Sequence, residues 1–124
     1  MAAGPWTFFG KAKQHLADGT IDLDSDTFQM ALFTSASNVM TSAALLTSFV
    51  SLNGEVTEAN GYMSSGKTIQ AVTWGQGASA NEVRFDSTAI SWSAVGGNIV
   101  NVKYAVIWKL AASAAGRNGA TWRV

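Results

Sequence analysis

Residues 98–110, NIVNVKYAVIWKL, decide the fold, because they carry the most regular pattern in the chain. Apolar side chains occupy every second position and alternate with polar or smaller ones, Val100, Val102, Tyr104, Val106, Trp108 and Leu110 against Asn101, Lys103, Ala105 and Lys109. Successive side chains of a β-strand point to opposite faces, so a period of two predicts a β-strand.

Further strands are predicted on both sides of this one. Four stretches rich in β-branched and aromatic residues precede it and are separated by Gly, Ser and Asn: EVTEANGYM (55–63), KTIQAVTW (67–74), NEVRFDS (81–87) and TAISWSA (88–94). In IDLDSDTFQMALFT (21–34), Phe28, Met30 and Leu32 alternate with Gln29, Ala31 and Phe33, which predicts a strand buried mainly on one face. The tail AASAAGRNGATWRV (111–124) predicts a turn at Asn118-Gly119 and one edge strand.

Two short helices are also predicted. In residues 5–18, Phe9, Ala12 and Leu16 follow helical spacing, Pro5 suits a first turn, and Gly19 suits the left-handed residue that ends a helix. In SAALLTSFVSL (42–52), apolar residues cluster on one side after Thr41 as a cap, and Asn53-Gly54 ends the segment. The predicted fold is therefore one mainly β domain over residues 1–124. We expect an antiparallel β-sandwich, for which a jelly roll is one arrangement, with an N-terminal helix and one further short helix.

Composition limits the classes of function. Only 13% of the residues are charged, and eight basic side chains balance eight acidic ones, so we expect neither a nucleic-acid partner nor an anionic membrane surface. The hydrophobic fraction of 48% argues against disorder and suggests that other protein chains cover part of the apolar surface. No cysteine is present, no signal peptide is visible in residues 1–9, and no apolar run is long enough to span a bilayer. We therefore expect a soluble protein made in a reducing cytoplasm.

The stretch GYMSSGKT, residues 61–68, fits the phosphate-loop pattern G-x-x-x-x-G-K-[ST]. A phosphate loop joins a buried strand to a helix whose first amides face the phosphate. Here the preceding residues, EVTEAN, are polar, and the following IQAVTWGQGASA contains β-branched residues and two glycines. We favour a turn between two antiparallel strands, in which Gly61 and Gly66 take unusual backbone angles, over a nucleotide site.

Other polar groups give no pattern specific to a catalytic or metal site. Asp22, Asp24 and Asp26 resemble the start of a calcium loop, but Thr27 and Phe33 stand where that loop needs Gly and Glu. His15 is the only histidine, and no G-x-S-x-G elbow presents a nucleophile. We expect no catalytic residues, no cofactor and no metal.

Aromatic residues near the ends of the chain are the candidate interface. Four of the five tryptophans lie in strand-like patterns, where aromatic residues are ordinary core and sheet residues. Trp6 and Trp122 lie near the termini, and tryptophan is enriched at protein interfaces. With Phe8 and Phe9, they form the set of residues that we expect at a subunit contact.

Four stretches together resemble a family of small virion proteins of tailed bacteriophages: FFGKAKQHLADGTIDLDSDTFQMALFT (8–34), GEVTEANGYMSSGKTIQ (54–70), VRFDSTAISWS (83–93) and YAVIWK (104–109). They follow one another in the order of the family and extend from residue 8 to residue 109 of the chain. In the family a Gly-Gly pair usually follows the G-Y stretch, whereas Ser65-Gly66 stands here.

The resemblance implies a non-enzymatic structural protein that decorates or cements an icosahedral capsid at junctions between major capsid protein subunits. It also implies a homotrimer located on the capsid surface of the virion and made in the host cytoplasm. The alternative is a component of the tail or of a head fibre. A third hypothesis, from another class, is a P-loop nucleotide-binding enzyme that uses residues 61–68.

Overall fold

An antiparallel sheet of five strands forms the body of the protein. The structure is a computed structural model, and it describes residues 7–39, 52–110 and 121–123. In chain order the elements are β1 (Thr7–Phe8), α1 (Gly10–Asp18), β2 (Phe28–Phe33), β3 (Lys67–Thr68), β4 (Thr73–Gln76), β5 (Val83–Asp86), β6 (Tyr104–Lys109) and β7 (Thr121–Arg123). The five-stranded sheet has the order β1-β7-β6-β2-β3, and β4 and β5 pair as a separate hairpin.

The mainly β, antiparallel fold class is confirmed, and α1 is the one helix in the described residues. A sandwich of two multi-stranded sheets stays a prediction, because the second sheet in this part of the chain is a single hairpin. The hairpin packs on the large sheet through Phe85, whose ring meets that of Phe28 edge to face with centroids 5.4 Å apart.

The long strands β2 and β6 form the centre of the sheet and pair along their whole length, from Phe28 opposite Lys109 to Phe33 opposite Tyr104. Three consecutive residues of β6, 106–108, are buried, and so are residues 31–33 of β2. Since consecutive side chains point to opposite faces, both faces of the two strands are covered. The expectation that the strand over residues 28–33 is buried mainly on one face was therefore wrong, because two core clusters pack against the sheet.

Two strand boundaries also differ from prediction. Strand β6 begins only at Tyr104, and residues 88–103 have no strand, so the strand predicted over 88–94 was wrong. The predicted C-terminal strand exists as β7, but it lies between β1 and β6 and is not an edge strand. The turn predicted at residues 118–119 lies outside the described residues.

The helix α1 is shorter than predicted. It spans Gly10–Asp18, because residues 7–8 are extended and pair with β7. Gly19 ends it in the left-handed conformation with φ 80°, as predicted. Phe9 and Ala12 on its apolar face are buried in the main core cluster, and Leu16 packs against that cluster. The second predicted helix, residues 42–52, lies outside the described residues except for its last position.

Candidate interaction surfaces

The segment 54–70, which contains GYMSSGKT, runs along the outer edge of β2 with one interruption. Its first part pairs with the end of β2, where the amide of Val56 donates to the carbonyl of Leu32 at 2.9 Å. Its last part is β3, with Lys67 opposite Met30. Both ends run antiparallel to β2 and neither pairs with the other, so the predicted hairpin around this turn was wrong.

Tyr62 fills the interruption. Its side chain is buried, and its hydroxyl accepts a hydrogen bond from the amide of Leu32 at 2.9 Å, where a continuous strand would offer a carbonyl. The same hydroxyl donates to Glu55 Oε1 at 2.7 Å, and this oxygen also accepts the amide of Ser65 at 2.6 Å. Burial raises the pKa of Tyr62, and the neighbouring Glu55 carboxylate raises it further. The phenol therefore stays protonated and keeps both hydrogen bonds at neutral pH.

The amides of the turn are occupied by groups of this chain. Ser65 donates to Glu55 as described, and the amide of Ser64 donates to Glu58 Oε2 at 3.0 Å. Lys67 Nζ donates to the carbonyl of Ser91 at 2.7 Å. The turn is followed by the short strand β3 and not by a helix. Carboxylates thus lie where a phosphate loop would hold its phosphate, and the lysine points to another loop.

Two glycines allow this turn to pack closely. Gly66 has a φ of 80°, and a Cβ on it would collide with the carbonyl oxygen of Met30. Gly61 has a φ of 92°, and a Cβ on it would collide with the carbonyl oxygen of Ser93. The unusual backbone angles predicted at these two positions are confirmed.

The aspartates before β2 are engaged in hydrogen bonds and an ion pair within this chain. Asp22 Oδ1 accepts the amide of Asp24 at 2.9 Å, and this amide, followed by the Ser25 hydroxyl, lowers the pKa of Asp22. Asp26 Oδ2 forms an ion pair with Lys109 Nζ at 2.8 Å. Within the described residues, no three histidine or carboxylate side chains converge to hold a metal ion.

Of the four residues predicted at an interface, the structure describes the side chains of Phe8 and Phe9. Phe9 is only 1% exposed and belongs to the core, so it offers no surface to a partner. Phe8 is 45% exposed on β1. Trp122 lies opposite Phe8 and Ile107 in the sheet register, and its side chain is outside the description, as is the whole of Trp6.

Residues 88–102, here called the uncharged segment, form a surface that was not predicted from the sequence. The segment contains no charged residue over fifteen positions, and twelve of them are exposed. The gap between Asp86 and Lys103 is visible in the sequence and was the available signal. Its apolar residues with the greatest exposure are Val95, at 69%, and Val100, at 56%.

The uncharged segment is fixed to the body although it has no strand. Trp92 and Ile99 pack against the second core cluster, and the Trp92 ring lies 6.0 Å from that of Tyr62. Asn60 holds the middle of the segment, since its carbonyl accepts the amide of Val95 at 3.1 Å and its Nδ2 donates to the carbonyl of Asn98 at 2.9 Å. The exposed valines therefore stand on a positioned backbone and not on a free loop.

An apolar groove of about 300 Å³ is a second surface. The groove lies between the large sheet, the loop before β2 and the β4–β5 hairpin. Its lining is mostly apolar and consists of Phe8, Leu23, Met30, Trp74, Phe85 and Ile107, with Asp86 and Ser87. Its lining includes Phe8, which belongs to the predicted interface set.

Comparison with known proteins gives no relative. No family model matches the sequence, and no curated protein or solved structure matches it significantly. In the described part of the chain, no helix combines the length and the apolar character needed to cross a membrane.

Proposed function

We propose that this chain is a non-enzymatic structural protein of a tailed-bacteriophage virion, which decorates the capsid by binding at junctions between major capsid protein subunits. The setting comes from the sequence resemblance over residues 8–34, 54–70, 83–93 and 104–109. The observation that carries the proposal is the exposed, uncharged segment 88–102. Charged residues are depleted at the centre of protein interfaces, and a rigid apolar surface loses little entropy when it docks.

The mechanism is apolar burial repeated over many copies. Each copy buries valines such as Val95 and Val100 against the coat, and each contact forms only where coat subunits meet. Binding that selects the assembled shell stabilises it by mass action, and a homotrimer multiplies the effect by joining three such surfaces. We place the homotrimer at points where three coat subunits converge.

The test is binding of the purified chain to expanded capsids that lack it, with light scattering to determine the mass of the free protein. The proposal predicts a trimer of the 13.0 kDa chain and saturable binding. Val100→Asp should abolish capsid binding, because it places a charge on the uncharged segment. The matched control is Val83→Asp. Val83 lies on β5 and is 61% exposed, much as Val100 is, and the variant should bind capsids as the wild type does.

Three results would contradict the proposal or the contact surface that it names. A stable monomer that does not bind expanded capsids would remove it altogether. Copurification with tails or head fibres, at a handful of copies per particle, would support the tail or head-fibre alternative. Equal loss of binding in both valine variants would show that the uncharged segment is not the contact surface.

A further inference from the structure

Residues 88–95 form the first part of the uncharged segment and run antiparallel to the segment 54–70. The amide of the first residue donates to the carbonyl of Gln70 at 3.0 Å, and the amide of the last donates to the carbonyl of Asn60 at 3.1 Å. The chain makes no turn or bend between these two contacts, and no residue there has a positive φ. Since 54–70 lies along the outer edge of β2, residues 88–95 occupy the next strand position outward.

The outward edge of this strand position is unpaired within the described residues. The amides of 89–94 donate no hydrogen bond there, and of their carbonyls only that of Ser91 accepts one, from Lys67 Nζ at 2.7 Å. Backbone groups of successive residues in an extended chain point to alternate edges. Because the carbonyl of Ser91 and the amide of Val95 face the segment 54–70, the backbone groups of residues 92 and 94 face outward.

This edge carries none of the features that keep free sheet edges from pairing. Natural proteins protect such edges with charged residues, prolines or bulges. Residues 88–95 contain no charged residue and no proline. Their burial alternates as in a strand, since Ile90 and Trp92 are half-buried and residues 89, 91 and 93 are exposed. A missing partner strand therefore explains why the sequence predicted a strand over 88–94 and this chain alone does not form one.

We propose that an extended segment of the major capsid protein adds to residues 88–94 as a strand and forms main-chain hydrogen bonds with Trp92 and Ala94. The inference rests on the proposed function, which places Val95 and Val100 of the same uncharged segment against the coat. In strand addition, main-chain pairing supplies the affinity, and the side chains at alternate positions supply the specificity. The coat segment that fits is uncharged and places apolar side chains beside Ile90 and Trp92.

A second copy of this chain is the competing occupant. Antiparallel pairing of two identical edges creates a two-fold axis and hence a dimer. The proposed assembly is a homotrimer, which leaves this edge to the coat. Self-pairing is therefore treated as an outcome that the experiment must detect.

The test is hydrogen–deuterium exchange of the wild-type protein, free and bound to expanded capsids that lack it, resolved to single amides by fragmentation in the mass spectrometer. In the free protein the amides of Trp92 and Ala94 should exchange rapidly, because they are unpaired. Capsid binding should slow both by about tenfold or more, whereas the amide of Ser93, on the opposite edge, should change by less than about twofold. A contact that only covers the segment would slow all three amides alike.

A pair of variants at one position tests the same hydrogen bond. Ala94→Pro removes an outward amide that has no partner in the free protein, and it should weaken capsid binding by about tenfold. Ala94→Ser keeps the amide at the same exposed position and should bind as the wild type does. Urea unfolding shows whether both variants are folded, and the exchange measurement on the wild type does not depend on either.

Four results would overturn the inference. Capsid binding without selective slowing at Trp92 and Ala94, or equal binding of the folded Ala94→Pro and Ala94→Ser variants, rejects strand addition and leaves the proposed function in place. Slowing of the same amides in the free protein that increases with its concentration would mean that a second copy pairs with this edge. Absence of capsid binding would reject the inference together with the proposed function.

Discussion

Replacing Tyr62 by Phe tests the role that the structure gives to its hydroxyl. The substitution keeps the ring and its contact with Trp92, and removes one oxygen. The amide of Leu32 then loses its acceptor inside the protein, and Glu55 Oε1 loses a donor at 2.7 Å but keeps the amide of Ser65 at 2.6 Å. An unsatisfied buried donor costs roughly 1–3 kcal/mol, and a hydrogen bond to a charged group contributes roughly 1.5–3 kcal/mol.

These effects overlap, because one oxygen serves both partners, and we expect Tyr62→Phe to lower the free energy of unfolding by about 2–3 kcal/mol. For a domain of this size the midpoint of thermal unfolding should fall by roughly 10 °C. Urea unfolding followed by tryptophan fluorescence measures the change directly. A double-mutant cycle with Glu55→Gln should show coupling of about 1 kcal/mol, since the two side chains share a hydrogen bond.

The chain contains its own control. It has two tyrosines, and within the described residues the Tyr104 hydroxyl makes no hydrogen bond, so Tyr104→Phe should change stability by less than about 0.5 kcal/mol. If Tyr62→Phe lowered the free energy of unfolding no more than Tyr104→Phe does, the Tyr62 hydroxyl would not replace a strand partner of Leu32. The role given to Tyr62 at the edge of β2 would then be wrong.

Three further predictions follow from single contacts. Gly66→Ala should destabilise the protein by about 3 kcal/mol or more, because the new Cβ meets a carbonyl of β2, whereas Gly19→Ala, with the same φ but open space around it, should cost about 1 kcal/mol; urea unfolding of both variants decides this. Titration with labelled ATP and magnesium should show no binding by the wild type or by Lys67→Ala, and binding that is lost in the variant would restore the phosphate loop. The hydroxyl and then the amide of Thr20 lower the pKa of Asp18 below 3.8, so its contribution to stability is present above that pH and is lost as pH falls through the lower value; carboxyl chemical shifts with a midpoint at or above 3.8 would contradict the assignment.

The pattern of residues 98–110 was enough to predict the central strand β6, and the alternation in 28–33 was enough for β2, because periodicity is a local property. What covers each face was not predictable. Val106 and Ile107 are both buried because elements distant in sequence pack on both sides of the sheet. Burial on two faces depends on tertiary contacts, which a period of two does not contain.

The turn at 61–68 shows the opposite limit. Composition correctly predicted a glycine-dependent turn, and Gly61 and Gly66 have the expected angles. The pairing of both flanks of this turn with β2 was not predicted. The buried hydroxyl of Tyr62 takes the place of a backbone carbonyl beside Leu32, and strand propensity contains no information on such a contact. The uncharged segment could have been predicted, since the absence of charge from residues 87–102 can be read directly from the sequence.

The most direct test of the central claim is an electron cryomicroscopy reconstruction of the virion to which we propose that this chain belongs. The account predicts density that fits the five-stranded sheet and its hairpin on the outer capsid surface, at junctions between coat subunits and in hundreds of copies, with residues 88–102 against the coat. A capsid surface without this density, or density confined to the tail or to head fibres, would contradict it.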